Sequence, residues 1–311
     1  RLEFTDESKP EVDLFSDGEV DGHQRFVLTA AWIDPTFVRQ KITMDVIRDL
    51  GGLAPRVDFA NLYLNGEWHG LYQLVERIDK PYLKRHDLNR DGNLYKGEDD
   101  SANWQAKSNP LKGYEIVINE DNPTEDLGLL LDALTYTATT QADFEAQIEP
   151  LLDLDDFHVW QMVHTCAMNR DTFTKNYYLF HDLLAEEGTP EARFRVITWD
   201  ADATWGINWD GEPLPTDEQQ WHGTDNFSPR LYAIDSYLST YRARYLAALD
   251  DQLSAAAMKL RVAAAVSRIR NAAEADLARW QRDVDLDDAV DVLQTAIEER
   301  ETAIGAVVEA L

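Results

Sequence analysis

The stretch "NRDTFTKNYYLFHD", Asn169 to Asp182, lies near the middle of a 311-residue chain, and its reading decides the fold. Asp171 is followed five positions later by Asn176, and then by what reads as the start of a strand. Such a stretch is either a solvated loop in an acidic protein or half of a phosphoryl-transfer site. Before it, residues 154–168 carry Phe157, Trp160, Val163, His164 and Ala167 on roughly one helical face, with aspartates at the capping end. After it, "NYYLFHD" and "ARFRVITWD" read as two strands joined by an acidic turn, and the second runs into "WDADATWG", Trp199 to Gly206. The loop therefore stands between a buried helix and a strand pair that ends in two further aspartates, Asp200 and Asp202.

Composition narrows the functions available. With 44% hydrophobic residues and nine Trp, the chain can bury a sizeable core. Acidic residues outnumber basic ones 58 to 29, for a net charge of −29, and the excess is dispersed. That argues against nucleic acid, which demands a basic footprint, and against an anionic membrane surface. Lysine is scarce beside arginine, and so much carboxylate suits a salty medium in which surface repulsion is screened. The single cysteine, Cys166, excludes an intramolecular disulfide framework and any Cys-based zinc cluster. No run of 18 apolar residues exists, so membrane insertion is not expected. The chain opens on Arg1 without a Met, from which a longer parent protein is expected.

The rest of the chain supplies the frame. "RFVLTAAWI" (25–33) is a strand-like run. "DPTFVRQKITMDVIRDL" predicts a helix with Asp34 as N-cap and Pro35 at its first position, ended by Gly51-Gly52. "VDFANLYLNGEWHGLYQLVERID" (57–79) is a hairpin signal, with Asn65-Gly66 at the turn between alternating apolar runs. A second strand pair is expected at "GNLYKGE" and "GYEIVI". The acidic, Pro-containing connection 119–128 marks a lobe boundary. It divides one domain, 1–311, into a β-rich N-lobe of about 1–120 and a mainly helical C-lobe of about 121–311. Helices are predicted near 125–137 and 141–152 and throughout the Ala- and Arg-rich segment from about 229.

Phosphoryl transfer calls for hard oxygen ligands, a carboxylate to orient the attacking hydroxyl, and lysine for phosphate. These residue types occur in "NRDTFTKN", in "WDADATWG", and in the hairpin with Glu76 and the following Lys96. The catalytic loop of protein kinases has His-Arg-Asp, four residues and Asn. Here the Arg-Asp and the Asp-to-Asn spacing are kept, and Asn169 replaces the histidine. Together with "DPTFVRQKITMDVIRDLGGLAPR", "YLNGEWHGLYQLVERIDKPYLKR" and "GNLYKG", all in order, these motifs identify a resemblance to the CotH-type kinases, the spore coat protein H family. It covers most of the chain.

The resemblance implies an α+β, two-lobed protein-kinase-like fold, ATP with Mg²⁺ or Mn²⁺, and transfer to serine or threonine of a protein acceptor. It makes Asp171 the catalytic aspartate and Asp200 a metal ligand, with Asn176 as second metal ligand by the kinase pattern. Asp202 belongs either to the metal or to the loop. Lys96 with Glu76 as its partner is the chosen phosphate pair, and Arg39 and Lys41 are its rivals. Compartment stays open, and the resemblance implies an extracellular, cell-surface or spore-surface setting as one option. The functional alternative is a pseudokinase, or a structural coat or surface-binding protein of the same fold. Bland readings stand beside each residue: Asp200 and Asp202 as turn caps, Lys96 and Glu76 as a surface ion pair, and Trp199, Trp205 and Trp209 as core. No His-x-x-x-His spacing points to zinc. A His164–Cys166 nucleophile is the remaining outside option.

Overall fold

Asn65 and Gly66 both take positive φ, 53° and 85°, the combination that matches a two-residue turn to the twist of its strands. They join β3 (Val57–Leu64) to β4 (Glu67–Glu76) in antiparallel register. The structure, a computed structural model, describes residues 2–5, 13–16, 24–119, 121–135, 140–223 and 227–311. Upstream lie β1 (Leu2–Glu3), β2 (Arg25–Thr29) and helix α1 (Arg39–Asp49). Strands β1, β2, β4 and β3 form the first sheet in that order.

Downstream come α2 (Lys80–Arg85), β5 (Asn93–Gly97), β6 (Tyr114–Ile118), α3 (Glu125–Leu134), α4 (Gln141–Leu151) and α5 (Leu154–Cys166). Then follow β7 (Tyr177–His181) and β8 (Arg195–Thr198), both predicted, and the helices α6 (Ser228–Leu231), α7 (Asp235–Asp250), α8 (Ala255–Arg279) and α9 (Leu286–Glu309). The second sheet has the order β6-β5-β7-β8, so it draws strands from both sides of the division at 120/121. Its central pairing, β5 against β7, sets Lys96 opposite Tyr178 and delivers the loop before β7 to the end of β5. The fold class is α+β, with sheets in the N-terminal part and helices dominating the C-terminal part.

Helix α1 starts later than Asp34 and Pro35 suggested. Phe37 has φ 62°, which interrupts a helix there, and Asp34 caps a preceding turn. Its carboxylate accepts the N–H groups of Thr36 and Arg39 and pairs with the Arg39 guanidinium at 2.6 Å. Helix α8 closes over the first sheet: Asp276 Oδ2 accepts the Leu71 N–H at 2.8 Å, just beyond the point where β2 stops pairing with β4. Gly70 is required for that approach, because a Cβ there would lie 2.5 Å from Asp276 Oδ2.

An aromatic core underlies the second sheet, where Trp104 stacks on Tyr177 at 4.7 Å and contacts Phe157, Trp160 and Phe227. His158, also on α5, lies buried between Tyr232 and Tyr241, with neither ring nitrogen hydrogen-bonded among the described residues. Burial, helped by Arg244, lowers its pKa to about 4. The unfolded chain thus takes up a proton that the folded one refuses, and stability is present above the ordinary histidine range and lost as pH falls from about 6.5 toward 4. Replacing His158 with Phe is expected to flatten that acid loss, read from urea midpoints at pH 7 and pH 5; an unchanged pH slope would contradict it.

Candidate active site

The quoted loop begins with a helix terminus built without glycine. Met168 takes φ 56°, and its N–H reaches Thr165 O at 3.3 Å while the Asn169 N–H reaches His164 O at 2.9 Å. That is the 5→2 and 6→1 pattern of a helix C-terminal motif whose left-handed position usually holds glycine. Arg300, from α9 and fully buried, caps the same end by donating to Cys166 O at 2.9 Å and Thr165 O at 3.1 Å. The chain is thereby turned so that Asn169 is buried and Asp171 emerges.

Asp171 is flanked by two residues of its own loop. Asn176 Nδ2 donates to Asp171 Oδ2 at 2.8 Å, and Lys175 Nζ lies 3.1 Å from Oδ1. Lys175 also lies 3.5 Å from Asp100, and the Asp171 contact raises its pKa. Asn176, with φ 57°, is tied to β5 through its N–H to Gly97 O, and no group among the described residues donates to its amide oxygen. The loop after β8 is anchored on the other side. The Trp205 N–H reaches Ala167 O at 2.7 Å, Trp205 Nε1 reaches Thr43, and Arg39 Nε donates to Thr204 O. Positive φ at Asp200 and Trp205, both 53°, adds to a cluster of strained non-glycine positions of the kind that collects at working sites.

Asp171 and Asp200, 29 positions apart, come together here. Burial, then the Asp171 charge, pushes the Asp200 carboxyl up, against the pull of Lys96, an Asp202 hydrogen bond and Lys175. Burial, Asp200 and Asp34 push Asp202 up to about 7. Carboxylates so crowded favour a cation between them. Among the described residues no three or more His, Cys, Asp or Glu side chains form a metal cage. The two carboxylates and the free amide oxygen of Asn176 are hard donors, and they fit an ion such as Mg²⁺, which binds through one or two carboxylates and completes its shell with phosphate and water.

The remaining sequence candidates divide. Lys96 lies near this site, pairs with Glu98 at 2.6 Å and opposes the upward shift of Asp200. Its expected pair with Glu76 is not formed: Glu76 is buried, with Arg56 3.0 Å from Oε1 and Arg85 2.6 Å from Oε2. Arg39 is buried and committed to Asp34 and Thr204, and Lys41 is spent on Val57 O and Asp45. Of the three tryptophans read as core, Trp205 is buried, whereas Trp209 is 64% exposed and lies outside the core. The thiol–imidazole option fails, since burial pushes the Cys166 thiol up to about 12. Sequence reading missed Lys175 and Arg300. The first had a signal, four residues after Asp171 inside the quoted loop; the second had none, because the two helix-end carbonyls it caps lie over 130 positions away.

Comparison with known proteins gives four findings. The family model described as CotH kinase protein matches residues 1–304. The chain is 28% identical over 255 residues to the inner spore coat protein H of Bacillus subtilis, covering 80% of this chain and 68% of that protein. It is 24% identical over 186 residues to the invasin CotH3 of Rhizopus delemar, covering 56% of this chain but 30% of that one. Among solved structures, a chain of the Shewanella oneidensis MR-1 toxin–antitoxin complex of HipA, HipB and operator DNA matches with a TM-score of 0.43 and 13% identity, over 97% of this chain and 67% of that one. Among the described residues no helix is long and apolar enough to cross a membrane.

Proposed function

We propose, from the premise that this chain belongs to the CotH kinase protein family, that it is an atypical protein kinase transferring the γ-phosphoryl group of ATP to serine or threonine of a protein acceptor. The observation that carries the reading is the convergence of Asp171 and Asp200 with Lys96 and Lys175 at their side. Asp171, aimed by Asn176, takes the proton of the acceptor hydroxyl. The acceptor oxygen bonds to the γ-phosphorus, the bond from that phosphorus to its bridging oxygen breaks, and ADP leaves. ATP would come with Mg²⁺ or Mn²⁺, whose positive charge would offset the charge developing on the phosphate oxygens. Asp200 and Asn176, with Asp202 beside them, are the residues that would hold that ion, and Lys96 and Lys175 supply positive charge for phosphate.

The acidic surface favours basic acceptor segments, an attraction that salt weakens. The alternative, a coat or surface-binding protein of this fold without turnover, draws on the names of the two relatives. Either reading is compatible with a spore-coat or surface setting. The test is transfer of label from γ-labelled ATP to a panel of basic proteins and to the protein itself. Label in protein that requires Mg²⁺ or Mn²⁺ is expected; nucleotide binding without label on any acceptor would favour the alternative.

A further inference from the structure

We infer that Asn169 is a positioning residue that holds Asp171 and Asp200 in one arrangement, and that His164 sets the orientation of its amide. The inference rests on the reading of those two aspartates as the working pair. Asn169 is fully buried. Its Oδ1 accepts the Asp171 N–H at 3.1 Å, and its Nδ2 points to Asp200 O at 3.4 Å and to His164 Nδ1 at 3.2 Å. An amide has two N–H donors and an acceptor oxygen on one planar end, and here both faces of that inventory are used. One side chain therefore links the backbone of the loop after α5 to the backbone of the loop after β8.

The orientation has a definite cause. Rotated by 180°, the amide would set N–H against the Asp171 N–H and oxygen against the Asp200 carbonyl. His164 opposes that rotation only if its Nδ1 carries a lone pair. With the ring proton on Nε2, Thr198 Oγ1 at 3.4 Å is its acceptor and Nδ1 keeps the lone pair, while full burial with a pKa lowered to about 3 keeps the ring neutral. Thr198 ends β8, two positions before Asp200, so the chain of contacts returns to the strand that carries the second aspartate.

Two substitutions at 164 separate positioning from space filling. Glutamine keeps an acceptor for Asn169; leucine keeps apolar bulk and removes the acceptor. If His164 only fills space, leucine is the better tolerated of the two. The expected result is the reverse: His164→Gln keeps the Asp171 amide protected from hydrogen exchange in nucleotide-free protein and transfers phosphate near the wild-type rate. His164→Leu folds, yet exchanges that amide faster and loses about 10- to 100-fold in transfer, the usual cost of an outer-shell contact. Leucine matching wild type in both readouts, or glutamine as damaging as leucine, overturns the inference. The exchange measurement needs no turnover, so it stands even if the protein proves not to be a kinase. Should both variants unfold, Asn169→Asp keeps the acceptor for Asp171 but places an anion against the Asp200 carbonyl; wild-type exchange and transfer in that variant would equally overturn it.

Discussion

An Asp171→Asn protein is expected to bind nucleotide and metal nearly as the wild type does and to transfer phosphate about 10²–10⁴-fold more slowly, about 3 to 5 kcal/mol of barrier. The substitution is close to isosteric. The amide oxygen of the new residue can still accept from Asn176 or Lys175, which lie 2.8 and 3.1 Å from the native carboxylate, so the loop has no reason to collapse. What disappears is the basic oxygen that takes the hydroxyl proton. Initial rates with labelled ATP, at matched folded fraction and salt, measure the effect. Equal rates would make the loop a solvated connector and move the chemistry elsewhere.

Glu76→Ala is expected to cost about 3 to 5 kcal/mol of folding stability with no direct effect on chemistry, because removing one member of a buried ion cluster strands the others. Glu76 accepts the Arg56 N–H and pairs with the guanidiniums of Arg56 and Arg85, tying the end of β4 to the start of β3 and to α2. Burial pushes its pKa up, but Arg85 and then Arg56 outweigh burial, and the net shift is downward from 4.5. Its contribution is therefore present above the ordinary glutamate range and lost as pH falls through the lowered folded value. Urea unfolding at pH 7 measures the loss, which should shrink in acid. A loss under about 1 kcal/mol, the range of an exposed pair, would contradict the buried-cluster account.

What the sequence disclosed and what it withheld follow from the range of the interactions. The hairpin was legible because Asn65-Gly66 encodes its turn locally, and β7, β8 and α5 because their apolar patterns are local too. Asp171, Asn176 and Asp200 were named as site candidates through spacing and family resemblance. Glu76 was misread as the partner of Lys96 because its real partners are fixed by strand register and by the packing of α2, which no local pattern reports. The start of α1 was misplaced for a similar reason: Asp34, an ordinary capping residue, is occupied by a buried arginine and a preceding turn. Asn169 stood out only as a departure from the kinase histidine. Its partner His164 lies one helical turn and a tight bend earlier in the chain, a contact no local pattern reports.

Calorimetric titration of ATP with Mn²⁺ into wild type and Asp200→Asn measures whether Asp200 makes this a metal-dependent nucleotide site. Wild type is predicted to bind ATP with Mn²⁺ much more tightly than either alone, and to gain about 2.7 kcal/mol of stability at 100 times the dissociation constant. Asp200→Asn is predicted to fold and to lose the metal-dependent part. Absence of ATP binding by the wild type across Mg²⁺, Mn²⁺ and a range of salt, or identical metal-dependent binding by both proteins, would contradict it.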